Sequence, residues 1–179
     1  MQGRVHEVCG PSSVSFAAVL MTRLNGPVLW VREAHRTEHL NPLGLMMFFD
    51  PARLLSANAS HQVDRLAVAE EALRAGALSL VVVEITKPLG LTAGRRLQLA
   101  AKAGNSIGLC LIPEGMGSNA AETRWRAAPI LNDMAGDSTF FQWSLIKNKS
   151  GTCGAWNVRW DHKTRRVDVV SPAGQRPGA

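Results

Sequence analysis

The first place to look for chemistry in this sequence is Cys9-Gly10-Pro11-Ser12-Ser13, where a β-type run ends in a turn and a helical pattern begins. A working phosphate loop has the form G-x-x-x-x-G-K-[ST]. Its second glycine lets backbone amides close on the phosphates, its lysine reaches the β- and γ-phosphates, and its hydroxyl ligates Mg²⁺. Here Val14, Ser15 and Phe16 stand where Gly, Lys and Ser/Thr would fall, and the loop is one residue short. Charge, metal ligand and loop length are lost together. The sequence therefore predicts no ATP turnover, no cofactor and no catalytic residue. Gly10, Ser12, Ser13 and Ser15 remain as a vestigial phosphate loop, whose helix N-terminus still offers amide donors to a weakly held anion. The plainer reading is a capped helix start, with Ser12 or Ser13 as the N-cap.

Glu84 ends the apolar run Val81-Val82-Val83. In an ATPase of this type a carboxylate there would hold Mg²⁺ or orient water. With no lysine or hydroxyl to work beside, its expected role is a salt bridge or a loop hydrogen bond. Other chemistries lack their signatures. His35 and His39 form an i,i+4 pair with Glu38 beside them, but no cysteine or carboxylate pair completes a zinc site, and no metal is expected. No Gly-x-Ser-x-Gly elbow occurs. Cys9, Cys110 and Cys153 are far apart, without Cys-x-x-Cys spacing, as expected of reduced thiols in a cytoplasmic protein.

The elements that would carry these residues are legible from periodicity. Val5–Cys9 reads as a strand, and Val14–Leu24 as a helix with Phe16, Val19, Leu20 and Leu24 at helical spacing. Val28–Val31 and Arg53–Ala57 read as strands, with a helix over Leu40–Phe49 opened by Asn41-Pro42. His61–Ala75 reads as a helix whose stripe is Val63, Leu66, Ala67, Glu70 and Leu73, with Gly76 as its C-cap. Leu78–Ile85 is a continuous, β-branched run suited to a strand buried on both faces, and Ser106–Ile112 reads as the next buried strand. Between them lies a helix from Thr92 to Ala103, closed by Gly104 and weakened by Gly94, a residue that would permit close packing.

Strands alternating with helices argue for an α/β fold with a parallel sheet. Beyond Pro113 the pattern changes. Glu114–Asn119 is glycine-rich and reads as a mobile loop. Thr123–Ala128, Phe140–Lys147, Ala155–Trp160 and Val167–Val170 read as shorter, antiparallel strands. Residues 132–139 read as a loop, so one domain is expected over residues 1–170, followed by a disordered Pro/Gly tail at 171–179. No run approaches the roughly 20 apolar residues of a membrane span, and no membrane association is expected.

The net charge of +6 is uneven. Residues 1–123 hold 11 Lys/Arg against 10 Asp/Glu, whereas residues 124–179 hold 9 against 4. That basic third would suit an acidic protein surface or nucleic acid, the alternative being an ordinary solvated face. Arg124 and Arg126 flank Trp125, so both are expected to face away from its ring. Lys147 and Lys149 share one face of another strand, with Asn148 between them. Arg95 and Arg96 lie on the Thr92–Ala103 helix.

Several stretches carry a resemblance. Gly3-Arg4-Val5-His6-Glu7-Val8-Cys9-Gly10-Pro11-Ser12-Ser13 resembles the opening of the RecA recombinase core. Lys147-Asn148-Lys149 with Gly151 resembles the segment with which RecA-like proteins reach across a subunit interface. Phe49–Leu55, Leu91–Ala101 and Thr123–Arg126 are similar to segments of the ImuA family of bacterial SOS mutagenesis proteins, a likeness that covers most of residues 3–160. The resemblance implies a RecA-like three-layer α/β domain, related to the SulA division inhibitors, in a chain that is longer at its N-terminus. It also implies a non-catalytic accessory role in damage-induced translesion synthesis, with an ImuB-like polymerase-related protein, an error-prone DNA polymerase and RecA as partners, and any DNA contact indirect. Two alternatives stay open: a SulA-like inhibitor binding the tubulin-like division protein, and a basic nucleic-acid-binding module. Lys147, Asn148, Lys149, Arg124, Arg126, Arg95 and Arg96 are the interface candidates.

Overall fold

A computed structural model describes residues 2–131 and 138–172. Among these, the apolar runs become β1 (Arg4–Cys9), β2 (Val28–Glu33), β3 (Leu54–Ala59), β4 (Leu80–Glu84) and β5 (Ile107–Leu111). The later segments become β6 (Thr123–Ile130), β7 (Ser138–Asn148), β8 (Gly154–Asp161) and β9 (Arg166–Pro172). The helices are α1 (Ser13–Thr22), α2 (Pro42–Met46), α3 (Gln62–Ala75) and α4 (Leu91–Gly104). All nine strands join one sheet in the order β3-β2-β4-β5-β1-β6-β7-β8-β9. The six strands from β3 to β6 run parallel, and β7, β8 and β9 extend the sheet antiparallel. This is the expected α/β architecture of a mostly parallel core with antiparallel C-terminal strands.

Residue alternation along the central strands separates two cores. On one face Val8, Val28, Trp30, Leu80, Val82 and Leu109 pack with Phe16, Ala17, Ala18 and Met21 of α1. On the other, Val5, Val31, Val81, Val83 and Cys110 pack with Ala69 and Leu73 of α3 and Leu97, Ala100 and Ala101 of α4. Helices on both faces make three layers. α1 is apolar on nearly every side because it also touches a third cluster, in which Val19 meets Phe141, Val158 and Trp160 of the antiparallel half. Trp125, Trp143 and Trp156 line this same face, so the tryptophans of the C-terminal third act as core.

Several local expectations are corrected. The α3 stripe is rotated: Arg65, Ala69, Glu70 and Leu73 are buried, while Val63 and Ala67 are exposed. The series at 65, 69 and 73 faces the sheet, and Val63 lies beside α4. α2 is one short turn, with Asn41 Oδ1 accepting from the Leu43 amide. Gly104 is the last residue of α4, and Asn105 takes the left-handed cap at φ 50°. Gly94 does permit close packing, since a Cβ there would collide with the Ser118 hydroxyl and lie 2.9 Å from the Ala120 methyl. Ser138 and Thr139 open β7 instead of ending a loop, and Ser171-Pro172 belong to β9. Residues 132–137 and 173–179, assigned to that loop and to the tail, lie outside the described residues.

The cysteines give a direct check on the layering. Cys9 and Cys110 are buried and Cys153 is exposed. Burial, reinforced by nearby carboxylates, raises the thiol pKa of both buried residues. In the folded state a chromogenic disulfide should therefore titrate one fast thiol, Cys153. The other two should react only on unfolding, and a second fast thiol would contradict the packing of β1 or β5.

Candidate functional site

The loop between β1 and α1 sits at the C-terminal ends of the parallel strands, where α/β sheets commonly bind ligands. Here it is folded shut. Gly10 adopts φ +94°, and a Cβ there would come within 2.5 Å of the Ala127 carbonyl of β6. That carbonyl accepts the Ser12 amide at 3.1 Å, and the Ser13 amide turns back to the Gly10 carbonyl at 3.1 Å. Two amides that would face a phosphate are thus taken by the backbone. Ser12 occupies the N-cap position through its carbonyl, which accepts the Phe16 amide, and its side chain makes no cap bond. Phe16, at the place of the metal-ligating hydroxyl, turns into the core, its ring centroid 4.8 Å from Trp143 and 5.7 Å from Trp125. What remains is an open crevice of about 440 Å³, lined by Pro11, Ser13, Val14, Arg36, Glu84 and Pro113 among others.

Glu84 lies on the floor of this crevice and is almost fully buried. Its Oε1 accepts from Trp30 Nε1 and Arg32 Nε, both at 3.0 Å, and its Oε2 accepts from Arg36 Nη1 at 3.3 Å. The expected structural role is the one it has, since both oxygens are engaged by side chains of β2 and the segment after it. Behind it stands Arg65, fully buried on α3. Its guanidinium donates to the backbone carbonyls of Glu84, Ala59 and Ser60 and to Thr86 Oγ1, and it pairs with Glu33 at 3.4 Å. One side chain therefore ties together the C-terminal ends of β2, β3 and β4.

A second network lies on the other side of β1. Glu7 is fully buried and accepts from the Ser118 amide and from Arg124 Nε, each at 2.7 Å. Arg124 also donates to the Ser118 carbonyl at 3.0 Å. From β7, Lys147 Nζ reaches the carbonyls of Ser118, Asn119 and Ala121, and Lys149 Nζ, just beyond the strand, reaches that of Ala120 at 2.7 Å. Burial, then the charges of Lys149 and Arg124, lowers the Lys147 pKa below the usual lysine value. Residues 114–119 are consequently pinned at Ser118, which is itself buried.

The interface candidates separate accordingly. Arg124, Lys147 and Lys149, three of the residues proposed from sequence for an interface, end on this chain's own groups. Asn148 builds the following turn, its amide donating to the Thr152 carbonyl and its oxygen accepting the Ser150 amide. Arg126 pairs with Glu114 at 2.8 Å near the surface, and Arg96 pairs with Glu70 at 2.8 Å. Arg124 and Arg126 do face away from Trp125, as alternation requires. Arg95 is exposed, and His35 and His39 are exposed beyond β2. Arg65, Glu7, Arg32 and Ser118 were not singled out by sequence. The only available signals were a carboxylate among the apolar residues of β1 and an arginine continuing the i,i+4 series of Ala69 and Leu73.

The chain is similar to Protein ImuA from two strains of Caulobacter vibrioides, at 32% identity over 163 residues, or 89% of this chain. It spans 61% of the length of those curated relatives. No family model matches it. Among the described residues no helix is long and apolar enough to cross a membrane.

Proposed function

Because this chain belongs to the ImuA family, we propose that it is a non-catalytic accessory protein of SOS-induced translesion synthesis. In this reading it holds an ImuB-like polymerase-related protein together with an error-prone DNA polymerase, with RecA as a further partner. A RecA-like core serves as the scaffold, a reading supported by the parallel order in which β1 lies between β5 and β6. The observation that carries the non-catalytic part is the closed phosphate loop. Gly10 is pressed against Ala127, the Ser12 amide is bonded to that residue's carbonyl, and Phe16 fills the metal-ligand position.

Calorimetry should accordingly detect no Mg-ATP binding at millimolar nucleotide, and micromolar affinity would overturn the non-catalytic reading. Weak phosphate or sulfate binding at the α1 N-terminus is compatible with it. The adaptor part is tested by capture of the chain on an ImuB-like protein, on the tubulin-like division protein and on single-stranded DNA. Retention by the first alone supports it. Retention by the division protein alone transfers the chain to a SulA-like role, and retention by DNA alone to a nucleic-acid module.

A further inference from the structure

α4 is unusual in its charges. From Ile85 to Pro113 the chain has no carboxylate, yet α4 carries Arg95, Arg96 and Lys102. Arg96 is neutralised by Glu70 of α3. Arg95 and Lys102 are exposed, and among the described residues neither has a salt-bridge partner. At 100° per residue, Leu91, Arg95, Gln98, Leu99 and Lys102 fall on one face of the helix. On that face Leu91 is 47% exposed and Leu99 67% exposed, whereas Leu97 of the same helix is buried.

The face is concave. Leu91, Arg95, Gln98 and Leu99 form one wall of a groove of about 460 Å³, and Asn119, Ala120 and Lys149 form the other. Its floor is held rigidly. Gln98 donates to the carbonyls of Val5 and Ala120 and accepts the Val5 amide, while Lys147 and Lys149 fasten residues 118–121 through their carbonyls. The approach of α4 to this rim is set by Gly94 against Ser118.

We propose that this groove docks an acidic, amphipathic segment of a partner protein. Arg95 on the groove wall and Lys102 further along the same helix face supply positive charge without a salt-bridge partner among the described residues, and Leu91 and Leu99, roughly 12 Å apart along the helix, supply two apolar anchor points. Nucleic acid fits less well, because no aromatic ring lines the groove for a base to stack on. The groove deepens the adaptor reading and rests on it only for the existence of a partner.

The test is fluorescence anisotropy with a labelled helical peptide bearing two leucines eight residues apart among glutamates. It is repeated with glutamine in place of glutamate, with oligothymidine, and with phosphatidylcholine–phosphatidylglycerol vesicles. Saturable binding is expected for the glutamate peptide alone. Arg95→Glu and Leu99→Ser, both at exposed positions, should each weaken it by about tenfold or more. Amide resonances should shift along Leu91–Lys102 and at Asn119, Ala120 and Lys149. The proposal is overturned by absence of binding, by equal affinity for the glutamine peptide, by unchanged affinity in both variants, or by tighter binding of oligothymidine or vesicles. If the chain still captures an ImuB-like protein while the peptide fails to bind, the groove assignment falls and the adaptor reading stands.

Discussion

Replacing Arg65 with Met should lower the free energy of unfolding by about 3–5 kcal/mol, the usual cost of removing one partner of a buried charge network. Methionine preserves much of the aliphatic volume, so the loss reports the guanidinium and not a cavity. Three backbone carbonyls and the Thr86 hydroxyl would lose the guanidinium as donor, although the Ala59 carbonyl keeps the Ala34 amide, and Glu33 would lose its cation. Each unsatisfied buried acceptor costs about 1–3 kcal/mol, partly recovered by relaxation or an entering water. Arg65→Lys should recover only part of the loss, because one ammonium cannot span acceptors on three strand ends. Urea unfolding measures both variants. An Arg65→Met midpoint shift worth less than about 1 kcal/mol would mean that water replaces the guanidinium without cost.

The second large effect is expected at Glu7 and Arg124, and it decides what the basic third is for. Glu7→Ala should destabilise by about 3–5 kcal/mol, since it strands Arg124 and frees the Ser118 amide in a buried site. Arg124→Ala should cost less, because its side chain is partly open to solvent. The double variant should fall short of the sum of the single losses by about 1–3 kcal/mol, the signature of directly coupled groups. Arg126→Ala, whose ion pair lies at the surface, should cost at most about 1 kcal/mol. Additive losses at Glu7 and Arg124 would show that the arginine acts independently of the carboxylate. In that case it would regain its standing as a group available to a partner.

These expectations differ from what the basic residues suggest on their own. Arg124, Lys147 and Lys149 belong to the basic last third, and as a linear pattern they point outward to a partner. In the folded chain they turn inward because the segment around Ser118 crosses β1 and β7 with its carbonyls unpaired in the sheet. Arg124 of β6, Lys147 of β7 and Lys149 just beyond it donate to those carbonyls. Backbone groups that lie outside a ladder must be satisfied somewhere, and no linear pattern says by which distant side chain. On α4, by contrast, Arg95 and Lys102 stay exposed without a salt-bridge partner among the described residues.

By itself the sequence determined the features that depend on neighbouring residues. Continuous apolar runs marked β4 and β5, because strands buried on both faces have no polar face to alternate with. Gly76 marked the end of α3, because a left-handed cap favours a residue without Cβ. The loss of lysine and hydroxyl after Gly10 marked a phosphate loop without its chemistry. Tertiary structure decided what those local signals leave open. It set the face of α3 that meets the sheet, where Arg65 takes a place that hydrophobic spacing assigned to Val63 and Ala67. It paired Glu84 with Trp30 and Arg32 and Glu7 with Arg124, residues 52 or more positions apart, because strand order brings them together. The physical reason is range. Propensity, capping and periodicity act over a turn or two of chain, whereas the partner of a buried charge is chosen by the stacking order of strands.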